Sequence, residues 1–264
     1  IPVPQILVVD DNPANLKLVA TLLREFNLPV FTANSGQEAI DIVRQQSVDM
    51  IFMDIQMPGM NGLEATATIR TIPERGNIPI VALTAHAMAD EKEALLKAGM
   101  TDYQTKPITP EQLIVCIERW TGYVCESLRS NKINTTTSSD FMNGIFDAAA
   151  ALRHTNYNAA VAIEMFRMLL EPLPSDMQAI LSAWEEEDME TLLELVHKLH
   201  GASRYCGVPA LQNALESFEL ALKEKKTAAL PDHMRQLAEE VSKLQHWSCT
   251  TDWQRMLNAE KSTR

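Results

Sequence analysis

Over roughly the first 120 residues, short apolar runs alternate with longer stretches in which apolar side chains return every three or four positions. The runs at 6–9, 30–33, 50–53 and 80–83 predict β-strands. A weaker fifth strand is predicted at 102–105. The stretches at 14–26, 37–45, 62–70, 88–98 and 110–120 carry helical periodicity. Five strands alternating with five helices predict an α/β fold: a doubly wound, five-stranded parallel sheet with helices on both faces. In such a sheet ligands sit beyond the carboxyl ends of the strands, near the point where strand order reverses.

The pattern lapses after 122. Residues 123–140 include Ser130-Asn-Lys-Ile-Asn-Thr-Thr-Thr-Ser-Ser139, which has no periodicity and reads as a linker. A flexible tether of that length spans roughly 20–25 Å. Beyond it only helical periodicity is found, at 145–153, 159–171, 175–186, 189–206, 210–225 and from 232 onward. The expectation is a separate all-α antiparallel helical bundle over 141–264.

The chain is 264 residues long and 46% hydrophobic, enough for two small cores. Its net charge of −12 divides evenly, with 15 acidic and 9 basic side chains over 1–122 and 20 and 14 over 123–264. Neither part has the clustered Lys and Arg of a nucleic-acid binder, so a protein partner is expected instead. Cys116, Cys125, Cys206 and Cys249 show no ligand-like spacing and read as reduced thiols of a cytoplasmic protein. No uncharged stretch reaches the roughly 20 apolar residues of a membrane span, and no signal peptide is seen. The sequence starts at Ile1 without an initiator Met, which suggests a piece of a longer chain. No Gly-x-Gly occurs among the nine glycines, so no ATP-binding loop is expected.

Candidate chemistry concentrates at the predicted strand ends. Asp10 and Asp11 follow the first strand, Asp54 ends the third, Thr84 the fourth, and Lys106 follows the fifth. Three carboxylates at one place repel one another unless a cation intervenes. A hard, oxygen-rich site with few protein ligands suits Mg²⁺. Such a metal, with Lys106 as a second positive point, would neutralise charge on a transferring phosphoryl group. Val9-Asp10-Asp11-Asn12, Met53-Asp54-Ile55-Gln56-Met57-Pro58-Gly59-Met60-Asn61-Gly62, Leu83-Thr84-Ala85 and Thr105-Lys106-Pro107 together resemble the receiver domains of two-component signalling, whose fold is flavodoxin/CheY-like. That resemblance covers about 1–122. It implies that Asp54 becomes an aspartyl phosphate. It also implies that Asp11, Asp54 and the backbone carbonyl of Gln56 hold Mg²⁺, with Asp10 supporting through water. Thr84 and Lys106 would bind the phosphoryl oxygens, Tyr103 would be the switch aromatic, and the bond before Pro107 would be cis. Haloacid-dehalogenase-like phosphatases also form an aspartyl phosphate, but they need a second Asp two residues after the nucleophile, where this chain has Gln56.

In the helical part the informative stretch is 192–207. On a helical wheel centred on Leu199, the residues Leu192, Leu195, Val196, Ala202, Ser203 and Cys206 fall within about 60° and predict the core stripe. His197 then falls about 160° away on the wet face, with Gly201 and Arg204 beside it, and His200 flanks it at about 100°. Gly201, one turn on, would let another protein approach the ring. His86, His154, His233 and His246 have no supporting neighbours and are expected at the surface, and Met165–Met168 is expected to pack in the core. His197-Lys-Leu-His-Gly201, followed by Gly207, is similar to the His-phosphotransfer (HPt) domains of phosphorelays over about 145–245. The resemblance implies His197 as the phosphoacceptor. His200 stands where that family usually has Lys, which would make charge support pH-dependent, with Lys198 and Arg204 able to compensate.

A receiver followed by an HPt domain resembles the C-terminal end of a tripartite hybrid sensor kinase of the BarA/GacS type. The implied traffic runs from a kinase histidine to Asp54, then His197, then a downstream response regulator. This piece alone would not make phosphohistidine from ATP. Its parent would be a histidine kinase anchored in the bacterial inner membrane. The rival expectation is a response regulator whose helical part is a dimerisation or docking module without phosphochemistry.

Overall fold

The computed structural model describes residues 2–84, 89–125 and 144–262, and divides the chain into two units at 136/137. In the first unit β1 (Ile6–Val9), β2 (Val30–Ala33), β3 (Met50–Asp54), β4 (Ile80–Thr84) and β5 (Asp102–Thr105) form a parallel sheet in the order β2-β1-β3-β4-β5. Between them run α1 (Pro13–Glu25), α2 (Gly36–Gln45), α3 (Gly62–Arg70), α4 (Ala89–Lys97) and α5 (Pro110–Thr121). Strands β1 and β3 are buried along their whole length, which is why they are written as unbroken apolar runs. On one face Leu7, Val9, Ile51, Met53, Ile80 and Ala82 pack with Ala39, Ile40 and Val43 of α2 and Ala65 and Ile69 of α3. The helix starts are set locally. Asn12 caps α1 ahead of Pro13, Asn61 and Glu64 form a capping box on α3, and Thr109 and Gln112 do the same on α5.

Among its described residues the second unit is all helical: α6 (Ala148–His154), α7 (Ala159–Leu170), α8 (Leu173–Glu185), α9 (Met189–Ser203), α10 (Pro209–Lys223), α11 (Leu230–Thr250) and α12 (Trp253–Ser262). Helices α8 to α11 pack each on the next, and α11 closes back on α8, giving a four-helix bundle. The segment expected to run on from 232 is two helices, broken where Thr251 takes an extended conformation. Helix α12 folds back on α6 and α7, and its Trp253 meets Phe166 edge-on at 4.8 Å. Most of the sequence between the units, 126–143, lies outside the described residues, as does His86.

Candidate functional site

Parallel register brings the acidic residues together. Val9 pairs with Met53, Asp54 with Leu83, and Thr84 with Thr105, so Asp10, Asp54, Thr84 and Lys106 leave the sheet at one edge. The strand order reverses between β1 and β3, so Asp10 and Asp54 flank the switch point. One oxygen each from Asp10, Asp11 and Asp54 lie within 4.8 Å of one another. Lys106 Nζ donates to Asp10 Oδ2 at 2.7 Å and to Asp54 Oδ2 at 2.6 Å, and all three side chains are almost fully buried. Asn15 donates from Nδ2 to both Asp10 oxygens at 3.2 Å, and the Asn12 amide donates to Oδ1 at 2.9 Å. Burial raises the Asp10 carboxyl above its ordinary range, and the neighbouring Asp54 charge adds to this while Lys106 opposes it. Asp10 therefore favours a nearby cation, and a set of hard oxygens at this spacing fits Mg²⁺. The Lys106–Pro107 bond is cis. Tyr103 is partly buried against the α2/α3 side of the core.

Gly62 fixes where Asp54 sits. A Cβ at that position would lie 2.1 Å from the Asp54 carbonyl oxygen, and the Gly62 amide donates to Ile55 O at 3.0 Å. Helix α3 thus starts in contact with the backbone that carries the acidic site. Gly62→Ala is expected to cost about 3 kcal/mol of receiver stability. Amide hydrogen exchange at β3, compared with wild type, checks it.

The second constellation lies between α9 and α10. Glu219, buried to 2% exposure, accepts from His197 Nδ1 at 2.8 Å and from Lys223 at 2.6 Å on Oε1, and from His200 Nδ1 at 2.6 Å on Oε2. His197 remains 22% exposed, whereas His200 is 2% exposed. Burial opposes the Glu219 charge, but the hydrogen bonds from both rings and the Lys223 charge outweigh it and hold the carboxyl below its usual range. Burial lowers the His200 value, with Arg204 adding to the effect.

These contacts correct the wheel. The buried side of α9 comprises Leu192, Val196, Leu199, His200 and Ser203, while Leu195 and Ala202 are only partly buried. The face is turned about 50° toward His200 from the apolar centre. His200 is a buried partner of Glu219, not a flank of the wet face, and burial moves the charge support expected of it toward more acid pH. Arg204 is also buried, with Nε 3.5 Å from His200 Nε2. Lys198 is exposed and Gly201 partly so. Glu219 was missed by sequence reasoning. Its signal was a carboxylate between Leu215 and Leu222 on an otherwise apolar stripe. Two other histidines expected at the surface are packed against rings, His154 edge-on to Tyr205 and His233 stacked on Phe218, while His246 is exposed. Cys116, Cys125 and Cys206 are buried and all four thiols are free, with burial pushing Cys116 up to about 11 and Cys206 up to about 12.

Both shifted groups in the α9/α10 cluster make the bundle sensitive to acid. A histidine lowered in the folded state binds a proton more readily when unfolded, so the stability it contributes is full above the ordinary 6.5 and is lost below it. The depressed Glu219 adds a further loss below its ordinary 4.5. Protection of α9 and α10 amides is expected to fall between pH 7 and pH 5, and less so in His200→Asn. Hydrogen exchange across that range measures it.

The family model for the response regulator receiver domain matches residues 6–118, and that for the Hpt domain matches 164–247. The sensor protein GacS of Pseudomonas syringae pv. syringae is 43% identical over 84% of this chain, which spans a quarter of that relative's length. The polar-differentiation response regulator DivK of Brucella ovis is 35% identical over 44% of this chain and 95% of its own. The solved receiver domain of the sensor histidine kinase PA1611 from Pseudomonas aeruginosa, described with a magnesium ion in its active-site cleft, is 35% identical, covering 46% of this chain and all of that one at a TM-score of 0.44. No described helix is long and apolar enough to cross a membrane. With the receiver's fold and acidic edge already in place, the chain belongs to the response-regulator receiver family and joins that domain to an Hpt domain, the pairing of a phosphorelay.

Proposed function

We propose that Asp54 takes a phosphoryl group from a kinase phosphohistidine and passes it to His197, which hands it to a separate response regulator. The observation that carries the reading is the buried Lys106 ammonium spanning Asp10 and Asp54 beside a third carboxylate. An Asp54 oxygen attacks phosphorus in line, forming the acyl phosphate as the bond to the kinase nitrogen breaks. Lys106 then has a phosphoryl oxygen as its partner, and the Thr84 hydroxyl bonds another. Mg²⁺ would be held by Asp11, Asp54 and the Gln56 carbonyl, with Asp10 in support, and would neutralise phosphoryl charge. Tyr103, partly buried at the end of the sheet that carries Lys106, is read as the side chain that responds to acylation. In the second step His197 Nε2 attacks the acyl phosphate and Asp54 recovers its carboxylate, with Lys198 and Arg204 as nearby positive charges.

The parent is read as a hybrid sensor histidine kinase anchored in the bacterial inner membrane, with this part in the cytoplasm. A receiver at 1–122, a linker at 123–140 and an HPt domain at 141–264 is the division that goes with it. The test is incubation of the full chain with a small-molecule phosphodonor and Mg²⁺. Acid-stable, base-labile label on the receiver and acid-labile label on His197 are expected. Acid-labile label that persists unchanged in His197→Gln would leave the helical part as a docking module or place the acceptor elsewhere.

A further inference from the structure

Glu219 is shared by two imidazoles, but only one of them is accessible. His197 offers 22% of its side chain to solvent and His200 2%. Resting on the reading of His197 as acceptor, we propose that His200 is a positioning residue: it receives no phosphoryl group, but fixes the Glu219 carboxylate that in turn holds the His197 ring with Nε2 free.

The hydrogen-bond inventory dictates the tautomers. An ionised carboxylate only accepts, so both Nδ1 atoms at 2.8 and 2.6 Å must carry their protons. That leaves Nε2 of each ring with a lone pair. In His200 it faces the Arg204 Nε–H at 3.5 Å inside the bundle; a second Arg204 nitrogen lies 3.4 Å from Nδ1, but the much shorter contact of that atom with Glu219, at 2.6 Å, sets where its proton sits. In His197 Nδ1 is committed to Glu219, so Nε2 is the nucleophilic nitrogen. Without an acceptor at Nδ1 the proton is free to sit on Nε2, and the nucleophile is lost.

His200 matters because Glu219 would otherwise turn. The carboxylate is anchored on Oε1 by His197 and Lys223, and on Oε2 by His200. Lys223 is 31% exposed and reaches Glu219 on a long aliphatic stem, whereas His200 is a rigid ring buried in the core. As a neutral donor His200 adds no second full positive charge beside that of Lys223, so Glu219 keeps more of its charge for His197 than it would with a lysine at 200. That charge is needed during transfer. As the Nε2 lone pair forms the P–N bond, the pair of the breaking P–O bond returns to the aspartate carboxylate and the ring becomes cationic. Its Nδ1 proton stays on nitrogen and remains hydrogen-bonded to Glu219, so no proton leaves the ring. The cationic ring is also the better leaving group for the next transfer.

Two substitutions in the full chain separate the hydrogen bond from simple packing. His200→Leu keeps the bulk and loses the donor. His200→Asn loses bulk but puts an amide N–H near the position of Nδ1. The His197 ring tautomer is read by ¹⁵N NMR, and transfer by the rate at which acid-labile label appears. Wild type is expected to show both rings as Nδ1–H at pH 7.5. His200→Leu is expected to mix the His197 tautomers and slow transfer at least tenfold, while His200→Asn recovers a third or more of the wild-type rate despite lower stability. A purely structural His200 gives the opposite order, and that order, or an unchanged His197 tautomer in His200→Leu, overturns the proposal. Should the leucine variant not fold, wild-type spectra with His200 as Nε2–H or doubly protonated overturn it equally. Label that remains in His197→Gln instead refutes the acceptor assignment and leaves the tautomer result standing.

Discussion

Asp54→Asn is expected to abolish label on both domains. The asparagine keeps the volume of Asp54 and can still accept from the Gln56 amide, now 3.3 Å from Oδ1. It removes one of the charges crowding Asp10 and leaves Lys106 its ion pair with Asp10, so the remaining charges stay paired and the fold is expected to survive. What it removes is the nucleophile, because an amide oxygen does not form a stable acyl phosphate. The fall in receiver label is expected to exceed 10³-fold, about 4 kcal/mol of transition-state stabilisation. Acid-labile label on His197 should vanish with it, since the small donor reaches His197 through Asp54. Receiver label at the wild-type level in Asp54→Asn would dismiss the acidic pocket as the acceptor. His197 label alone would break the order of transfer.

The receiver's fold and the convergence of its acidic residues were legible because those residues lie at the ends of strands that are unbroken apolar runs. Once 6–9, 50–53 and 80–83 are strands in a parallel sheet, Asp10, Asp54 and Thr84 converge by register alone. Sequence reasoning did not see Asn15, whose amide holds both Asp10 oxygens, because a polar residue in a first helical turn reads as solvent-facing. The α9/α10 cluster was less legible for a related reason. A wheel ranks faces by apolar side chains, and the buried side of α9 includes His200, which reads as polar until its partner is known. That partner is 19 residues away on α10, and nothing local to α9 announces it. The clue was on the partner's own helix, where a carboxylate occupies a core position that only paired charge tolerates. The break before α12 was likewise hidden, since 232–262 carries helical periodicity on both sides of Thr251.

Lys106→Met is expected to destabilise the receiver strongly. The ammonium is the only cation placed on Asp10 and Asp54 by the ion pairs seen among the described residues, at 2.7 and 2.6 Å, and both carboxylates are buried. Removing one member of a buried ionic group leaves the remainder uncompensated, at about 3–5 kcal/mol. Methionine fills the space, so the loss is electrostatic. Its dependence on pH follows from the Asp10 carboxyl, already raised by burial and by Asp54 and raised further without Lys106. A carboxyl that binds its proton more tightly when folded favours the native state as pH falls, so the deficit should shrink from pH 7.5 to pH 5. Wild type, which keeps Lys106, should recover less over the same range. Millimolar Mg²⁺ at pH 7.5 should restore part of the loss in the variant, because a cation beside these carboxylates would do the same electrostatic work. Amide exchange at Ile6–Val9 and Met50–Asp54 reads the receiver separately from the bundle. Equal protection in variant and wild type at pH 7.5 without divalent cations would mean that these carboxylates are solvated, and that their closeness does not drive cation or phosphoryl binding.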